Sequence, residues 1–343
     1  SRRAVVEGLR DGTEPPFGEV FPTRAFPATD FMLGGIFLAT EFTFLDGAVT
    51  LFPALRYDFY DLDPTDDPLL PEFAGSAQSD DRLSPKLGVT VRLADDVLLY
   101  ANYAQGFRAP TPYQVNNFFE NLAYGYTSLP NPDLGPETSE SWEAGIKFST
   151  EAVSLQIAAF TADYDDFISQ QVVGGSFTPM DPAQYQFVNY DAVEIEGVEA
   201  KASFRMENGF YSRFAIAYAD GDILSPGAAS RPLDTIDPLN LVVGIGYREP
   251  QGRFGGELIA THHARKPLDE TDGGYRPDAF TILDATAFFA VTDALKLRAG
   301  IFNIFDEKYA YWQDVRGLSA TSTTTDAYTR PGRNASVSLS FQF

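Results

Sequence analysis

From Arg333 to Phe343 the chain alternates without interruption. Ala335, Val337, Leu339, Phe341 and Phe343 take one parity; Asn334, Ser336, Ser338, Ser340 and Gln342 take the other. Side chains on a strand repeat every two residues, so one face of this segment is wholly apolar and the other small and polar. Two settings suit such a strand: a soluble sandwich, with the apolar face in the core, or an outer-membrane barrel, with that face in lipid and the polar face lining the lumen. The polar face carries no long charged side chains and the segment closes on an aromatic residue, which favours the barrel.

The same pattern predicts strands in pairs along the rest of the chain. Phe31 to Phe44 sets Met32, Ile36, Leu38 and Phe42 against Glu41 and Thr43. A short turn, Leu45-Asp46-Gly47, leads into Val49 to Tyr60, and Asp95-Asp96 joins Leu83–Leu93 to Val97–Phe107. Further strands are expected near 142–148, 155–159, 198–204, 210–218, 239–247, 254–263, 283–289 and 295–301. Short turns alternate with loops of roughly twenty residues or more, which are uncommon in compact soluble domains and regular in transmembrane barrels. The charged residues Lys86, Arg92, Glu143, Lys147, Glu199, Lys201, Arg213, Asp284, Lys296 and Arg298 all take the parity opposite the apolar ones. A sandwich core would not hold them, because an unpaired buried charge costs several kcal/mol; on the wetted outside of a sandwich they would be ordinary. The expected fold is therefore all-β, an antiparallel transmembrane barrel. About thirteen strands are legible, whereas single-chain bacterial barrels close with an even number, so residues 31–343 are expected to be the C-terminal part of a larger barrel. Residues 1–30, with four prolines and no sustained alternation, are expected to form an external loop.

Composition narrows the function. The net charge of −23 excludes the basic face that nucleic-acid binding needs. Mean hydropathy is slightly negative, as when only alternate residues face lipid, and no apolar run is long enough for a membrane-spanning helix. There are 17 Tyr and 29 Phe but no Cys, which suits interfacial aromatic girdles and removes disulfides and thiolate metal sites. No signal-peptide pattern begins the sequence, so a processed chain or the later part of a longer protein is expected. Catalytic signatures such as a Walker loop, a Gly-x-Ser-x-Gly elbow or His-Glu-x-x-His do not occur, and no enzymatic activity is expected.

Several motifs resemble the barrel of TonB-dependent outer-membrane receptors: Leu98 to Pro110 (LLYANYAQGFRAP), Asn131-Pro-Asp-Leu-Gly-Pro-Glu followed by Trp142-Glu-Ala-Gly, Gly197-Val-Glu, Asn303-Ile-Phe-Asp-Glu-Lys-Tyr and Arg330-Pro-Gly-Arg. The pairing of Phe107-Arg108-Ala109-Pro110 with Asn131-Pro132-Asp133-Leu134 around one long loop, and the run Tyr311 to Leu318, are most similar to the haem and haemoprotein receptor branch. The resemblance implies a barrel of about twenty-two strands with a plugged lumen, the plug and TonB box lying outside this chain. It implies active import of a scarce nutrient, haem or a ferric chelate, driven through TonB, ExbB and ExbD. A receptor for a siderophore, cobalamin or a glycan and a passive barrel are the alternatives. Lipid and lipopolysaccharide, and a haemoprotein or a partner chain completing the barrel, are the further partners implied, with no intrinsic cofactor.

Haem receptors of this branch often place a histidine between the two motifs, yet Thr111 to Pro130 has none. It offers Tyr113, Tyr124 and Tyr126, which could stack on a porphyrin or ligate ferric iron as tyrosinate, or could simply shape the loop. Arg108 is a candidate partner for a carboxylate. Phe107, Pro110, Asn131, Pro132, Asp133 and Leu134 are expected at the loop base. The only histidines, His262 and His263, adjoin; adjacent strand residues point to opposite faces, which leaves His263 as the lumenal ligand candidate and His262 toward lipid. The acidic stretch Asp61 to Asp81 is expected to be a solvated loop, divalent-cation binding being the alternative.

Overall fold

A computed structural model describes residues 2–11, 21–70, 73, 75–224, 229–267 and 273–342. The chain runs up and down as one antiparallel meander. Its strands are β1 (Arg2–Val6), β2 (Thr29–Ala39), β3 (Val49–Pro64), β4 (Gln78–Ala94), β5 (Val97–Arg108), β6 (Glu137–Ser149), β7 (Val153–Gly174), β8 (Ala183–Arg205), β9 (Phe210–Leu224), β10 (Asn240–Arg248), β11 (Phe254–His263), β12 (Phe280–Ala290), β13 (Leu295–Phe302) and β14 (Asn334–Phe341). Each pairs with the next. Among the described residues no pairing joins β1 to β14, so the sheet is part of a barrel wall. None of the described helices is long and apolar enough to cross a membrane; strands do the crossing.

The apolar parity faces outward. Ile36 and Leu38 are each 72% exposed, Val337 73% and Leu339 66%, an arrangement that makes sense only where lipid replaces water. Trp142 packs on Tyr103 at 4.6 Å between ring centres, and its indole N–H reaches Glu140; such amphipathic rings suit the membrane–water boundary. On the lumenal parity, two charged groupings have partners in the wall. Arg213 forks onto Glu257 across the strand between them, with Nη2 2.9 Å from Oε2. Tyr100 donates to Glu143 at 2.8 Å and receives the Lys147 ammonium over its ring. Tyr100 lies flat over Gly145, where a β-carbon would come within 2.6 Å of Cζ; glycine is what lets the ring lie against the wall.

Two expectations change. Residues 1–30 are not wholly loop: Arg2–Val6 pairs with β2, and Leu9–Arg10 forms a small hairpin with Thr23–Arg24. Five residues with two adjacent arginines give no readable alternation, and Arg3 is neutralised by an ion pair with Asp30. Residues 12–20 of that segment lie outside the described residues, as do Glu72 in the acidic stretch and the terminal Phe343. Secondly, several expected loops are strands. The 22 and 23 residues of β7 and β8, at about 3.4 Å each, far outreach an apolar band about 25 Å tall, and Asp163 to Asp166 lie within β7. Likewise Asp61 and Asp63 extend β3, and Asp80 and Asp81 open β4. Beyond the bilayer no lipid face enforces alternation, so a polar strand reads as a loop.

Because the wall turns its apolar residues outward, the buried core is displaced to the long-loop end. Tyr60, Leu62, Val115, Leu134 and Ile168 form one cluster, with Phe31, Phe107, Ala109 and Phe187 against it. Val193, Ile223 and Leu233 form another.

Candidate ligand cleft in the external loop layer

The loop after β5 is folded. Pro110 is fully buried, and Thr111 caps a short helix, α1 (Pro112–Asn116): its hydroxyl accepts the Gln114 N–H while the Gln114 side chain accepts the Thr111 N–H. This reciprocal cap satisfies two donors that a helix start leaves unpaired. Phe119–Asn121 then pairs with Tyr126–Leu129, and Tyr126–Leu129 adds in parallel to Ala183–Gln186 at the outer end of β8. The bend between them needs Gly125, at φ +70°, where a β-carbon would stand 2.6 Å from the Phe177 carbonyl oxygen. Gly125→Ala is expected to cost about 1–2 kcal/mol for the left-handed backbone alone and to undock the 175–182 turn; faster limited proteolysis there, with unchanged barrel heat-modifiability, is the readout.

The return of the loop is tied at Asn131. Its N–H donates to the Val115 carbonyl at 2.9 Å, its side-chain amide to the Phe187 carbonyl at 2.8 Å, and its Oδ1 accepts the Asp133 N–H at 3.1 Å. The Pro132 carbonyl accepts from Gln78, Leu134 is buried in the core cluster and Asp133 is exposed. Arg108 donates to Glu137 at 2.7 Å, and the same carboxylate oxygen accepts the Ile168 N–H. Phe107 packs against the core cluster and on Tyr60.

Between this loop, the β8 extension and the residues Arg10 and Ala25 lies a cleft of about 480 Å³, within the range of small-molecule sites, lined also by Tyr113, Phe119, Tyr126, Tyr185, Asn117 and Gln170 among others. Tyr113 and Tyr126 come together here. Tyr113 packs edge-on against Phe26 and Phe187; Tyr126 packs against Phe119 and Tyr185, and its oxygen accepts the Asn121 side-chain N–H at 3.1 Å. The Arg10 guanidinium sits 5.1 Å above the Phe119 ring. Tyr124, 64% exposed at the end of a 3₁₀ turn, is not among the lining residues. Arg10, Phe119 and Tyr185 carried no sequence signal. They converge only because segments far apart in sequence dock together.

The floor of this layer is held by a buried ion pair. Arg24 Nε lies 2.8 Å from Asp67 Oδ2, the two side chains being 14% and 3% exposed, and Asp67 also accepts the Ala28 and Leu69 N–H groups. Asp67 thus departs from the expected solvated acidic loop: it serves as an internal tie. Among the described residues, no group of three or more His, Asp or Glu side chains could hold a metal ion.

His263 belongs to a separate aromatic cluster, stacked on Phe280 at 4.9 Å and edge-on to Tyr311 at 5.0 Å, with Tyr309 against Phe280 and Arg330 over Tyr311. His262 instead contacts the Thr281 hydroxyl at 2.9 Å. Nearby the last long loop docks on the 233–237 segment: Trp312 donates to the Asp234 carbonyl at 2.6 Å and Gln313 to that of Thr235. Lys266, buried beneath, donates to the Leu233 carbonyl; burial pushes its ammonium below the usual lysine range, opposed by Asp220, Asp234 and Asp237.

A meander of strands with an apolar exterior, a polar interior and a folded layer of loops at one end defines an outer-membrane β-barrel. The chain belongs to the family described as TonB dependent receptor-like, beta-barrel, whose sequence model matches residues 4–304. Among similar curated proteins, the "Probable hemoglobin and hemoglobin-haptoglobin-binding protein 4" of Haemophilus influenzae is 26% identical over 298 residues, 76% of this chain and 29% of that protein. The "Hemoglobin-haptoglobin utilization protein B" of Neisseria meningitidis is 24% identical over 338 residues, 84% of this chain and 41% of that one. The chain therefore spans well under half the length of these relatives. Among solved structures, the copper transporter OprC superposes with a TM-score of 0.74 at 21% identity, covering 92% of this chain and 48% of OprC. The haemophore receptor HasR of Serratia marcescens gives 0.71 at 18% identity, covering 93% and 52%. At these identities the structures share the fold.

Proposed function

We propose that this chain is the C-terminal part of an outer-membrane receptor that captures haem, free or delivered by a haemoprotein, in the external cleft and imports it with energy supplied through TonB, ExbB and ExbD. The observation that carries this reading is the cleft itself. Four aromatic rings line a space of small-molecule size, two of them bearing the phenols of the histidine-free loop, and Arg10 adds a cation. Flat aromatic ligands bind between such rings, and a guanidinium favours carboxylates such as propionates. The similarity to proteins known for binding or using haemoglobin and haemoglobin–haptoglobin supports the same cargo. Coupling would run through a plug outside this chain, and no covalent step on the cargo is involved. Lipid, with lipopolysaccharide in the outer leaflet, would surround the apolar face.

The test is growth of an iron-starved, haem-synthesis-deficient host expressing the intact receptor, with haemin as the supplement. Tyr113→Ala/Tyr126→Ala is expected to raise the haemin requirement by about tenfold or more, the equivalent of about 1.4 kcal/mol, while Tyr124→Ala leaves it unchanged. Equal growth of all three would discard the cleft as the capture site. Failure of the intact wild type to use haemin would discard haem.

A further inference from the structure

The outward face of the wall is not evenly filled. On β10 and β11 the side chains that meet lipid are large and exposed, Ile245, Leu258 and Phe254 among them. The exception is the row in which Tyr247 opposes Gly256 and Gly256 opposes Ala287. There the side chain falls from an aromatic ring to none and then to a methyl group. Phe210 and Phe254 hold Tyr247 at 5.0 and 6.0 Å between ring centres, and the ring leans toward the short turn before β9, where a β-carbon on Gly209 would stand 3.1 Å from its Cε2. Tyr247 therefore does not fold over Gly256. A groove of about 370 Å³ is left, bounded by Phe210, Tyr247, Ile245, Leu258 and Ala285, with strand backbone as its floor.

Its depth follows from the register. Gly256 lies two residues beyond Phe254, or about 7 Å along the strand, so the groove opens just inside the aromatic boundary at the short-turn end. Short turns are periplasmic in barrels of this plan, and the leaflet on that side is phospholipid rather than lipopolysaccharide. The lining is almost wholly apolar, which suits hydrocarbon and excludes head groups and sugars. A second copy of the chain is a poor occupant: a stable protein interface takes about 800 Å² from each partner, and a notch ringed by projecting side chains offers no such surface.

We propose that this groove on the outer face of β10, β11 and β12 binds one acyl chain of a periplasmic-leaflet phospholipid, with the Tyr247 phenol meeting its head-group region. Tyrosine joins an apolar body to a polar tip and suits this boundary; the two phenylalanines fix its ring, and its lean toward the turn carries the hydroxyl to the level of the glycerol esters. The acyl chain fills the space that Gly256 leaves and supplies contacts that a void would forfeit. Because the groove exists only in the folded wall, an occupied site stabilises the barrel as the lipid concentration rises.

The experiment titrates the intact, detergent-purified receptor with palmitoyl-oleoyl phosphatidylethanolamine, counting retained lipids by native mass spectrometry and following barrel unfolding in urea. Ala285→Phe places a ring in the groove, on a face where apolar side chains are tolerated. The wild type should retain one phospholipid that Ala285→Phe binds about tenfold or more weakly. Ala200→Phe, which adds the same ring to the outward face of β8 opposite Ile157, should retain it. Tyr247→Phe, which keeps the ring stack, should weaken retention by a smaller factor. Added lipid should raise the urea midpoint of the wild type and leave that of Ala285→Phe unchanged. Should heat-modifiability show that Ala285→Phe does not fold, Leu258→Ala, which removes a wall of the groove instead, should lose the lipid in the same way. Graded retention of several lipids, equal in Ala285→Phe and Ala200→Phe, would mean annular lipid only and overturn the proposal. A dimer of the wild type that Ala285→Phe abolishes would assign the groove to a second copy and overturn it as well.

Discussion

Val337→Arg is expected to destabilise the barrel by about 2–4 kcal/mol, the cost of a guanidinium near the middle of a lipid-facing strand, whereas Ser336→Arg, one residue away, should cost far less. The two sites differ only in face. Val337 is 73% exposed and opposes Ala299, while Ser336 opposes Gly300 on the lumenal side, beside a groove that Arg298 and Glu257 already line. Urea titration of the intact receptor folded into phospholipid vesicles reads the difference. Equal costs at both positions would mean that the alternation of β14 does not separate lipid from lumen, and the soluble-sandwich reading would return.

Asn131→Ala should act at the other end of the molecule. The substitution removes the amide that satisfies the Phe187 carbonyl and the oxygen that receives the Asp133 N–H, at about 1–3 kcal/mol for partners left unsatisfied in a partly buried setting. Because Asn131 ties α1, the β8 extension and the loop return into one layer, the loss should fall on that layer. Hydrogen exchange at Tyr126–Leu129 and Ala183–Gln186 is expected to quicken together, haemin affinity to drop, and exchange in the middle of β8 to stay slow. Slow exchange in the two outer segments of the variant would show that Asn131 does not hold them together.

How far each region is legible in the sequence follows the physics of its surroundings. Strands from Phe31 onward were legible because lipid on one side and water on the other force a period of two, and the register of β14 on β13 preserves that parity across all eight of its residues. Where lipid ends, the signal ends. The outer halves of β7 and β8 mix polar residues with apolar ones such as Ile168, Phe187 and Val193, which pack into the loop-layer core rather than alternate against lipid, and so read as loops, and β1 is too short and too charged to register. The loop tyrosines were visible as residue types, yet their separation was not. Tyr124 and Tyr126 are two apart, and a 3₁₀ turn followed by the left-handed Gly125 sends one to solvent and the other into the cleft. Arg10, 103 residues before Tyr113, and Tyr185, 59 residues after Tyr126, reach the same cleft through contacts between separate segments, which no local pattern encodes. In the same way Asn131 was recognisable as part of a motif, but its partner at Phe187, 56 residues on, was not.

Haem capture in the external cleft is tested most directly by a haemin titration of the intact, detergent-purified receptor followed at the Soret band, with Tyr113→Ala/Tyr126→Ala and His263→Ala beside the wild type. A saturable Soret shift in the wild type and in His263→Ala, weakened by about tenfold or more in the double tyrosine variant, is the result expected. A shift abolished by His263→Ala and untouched by the tyrosine pair would place capture in the aromatic cluster around Phe280 and Tyr311 and contradict the account.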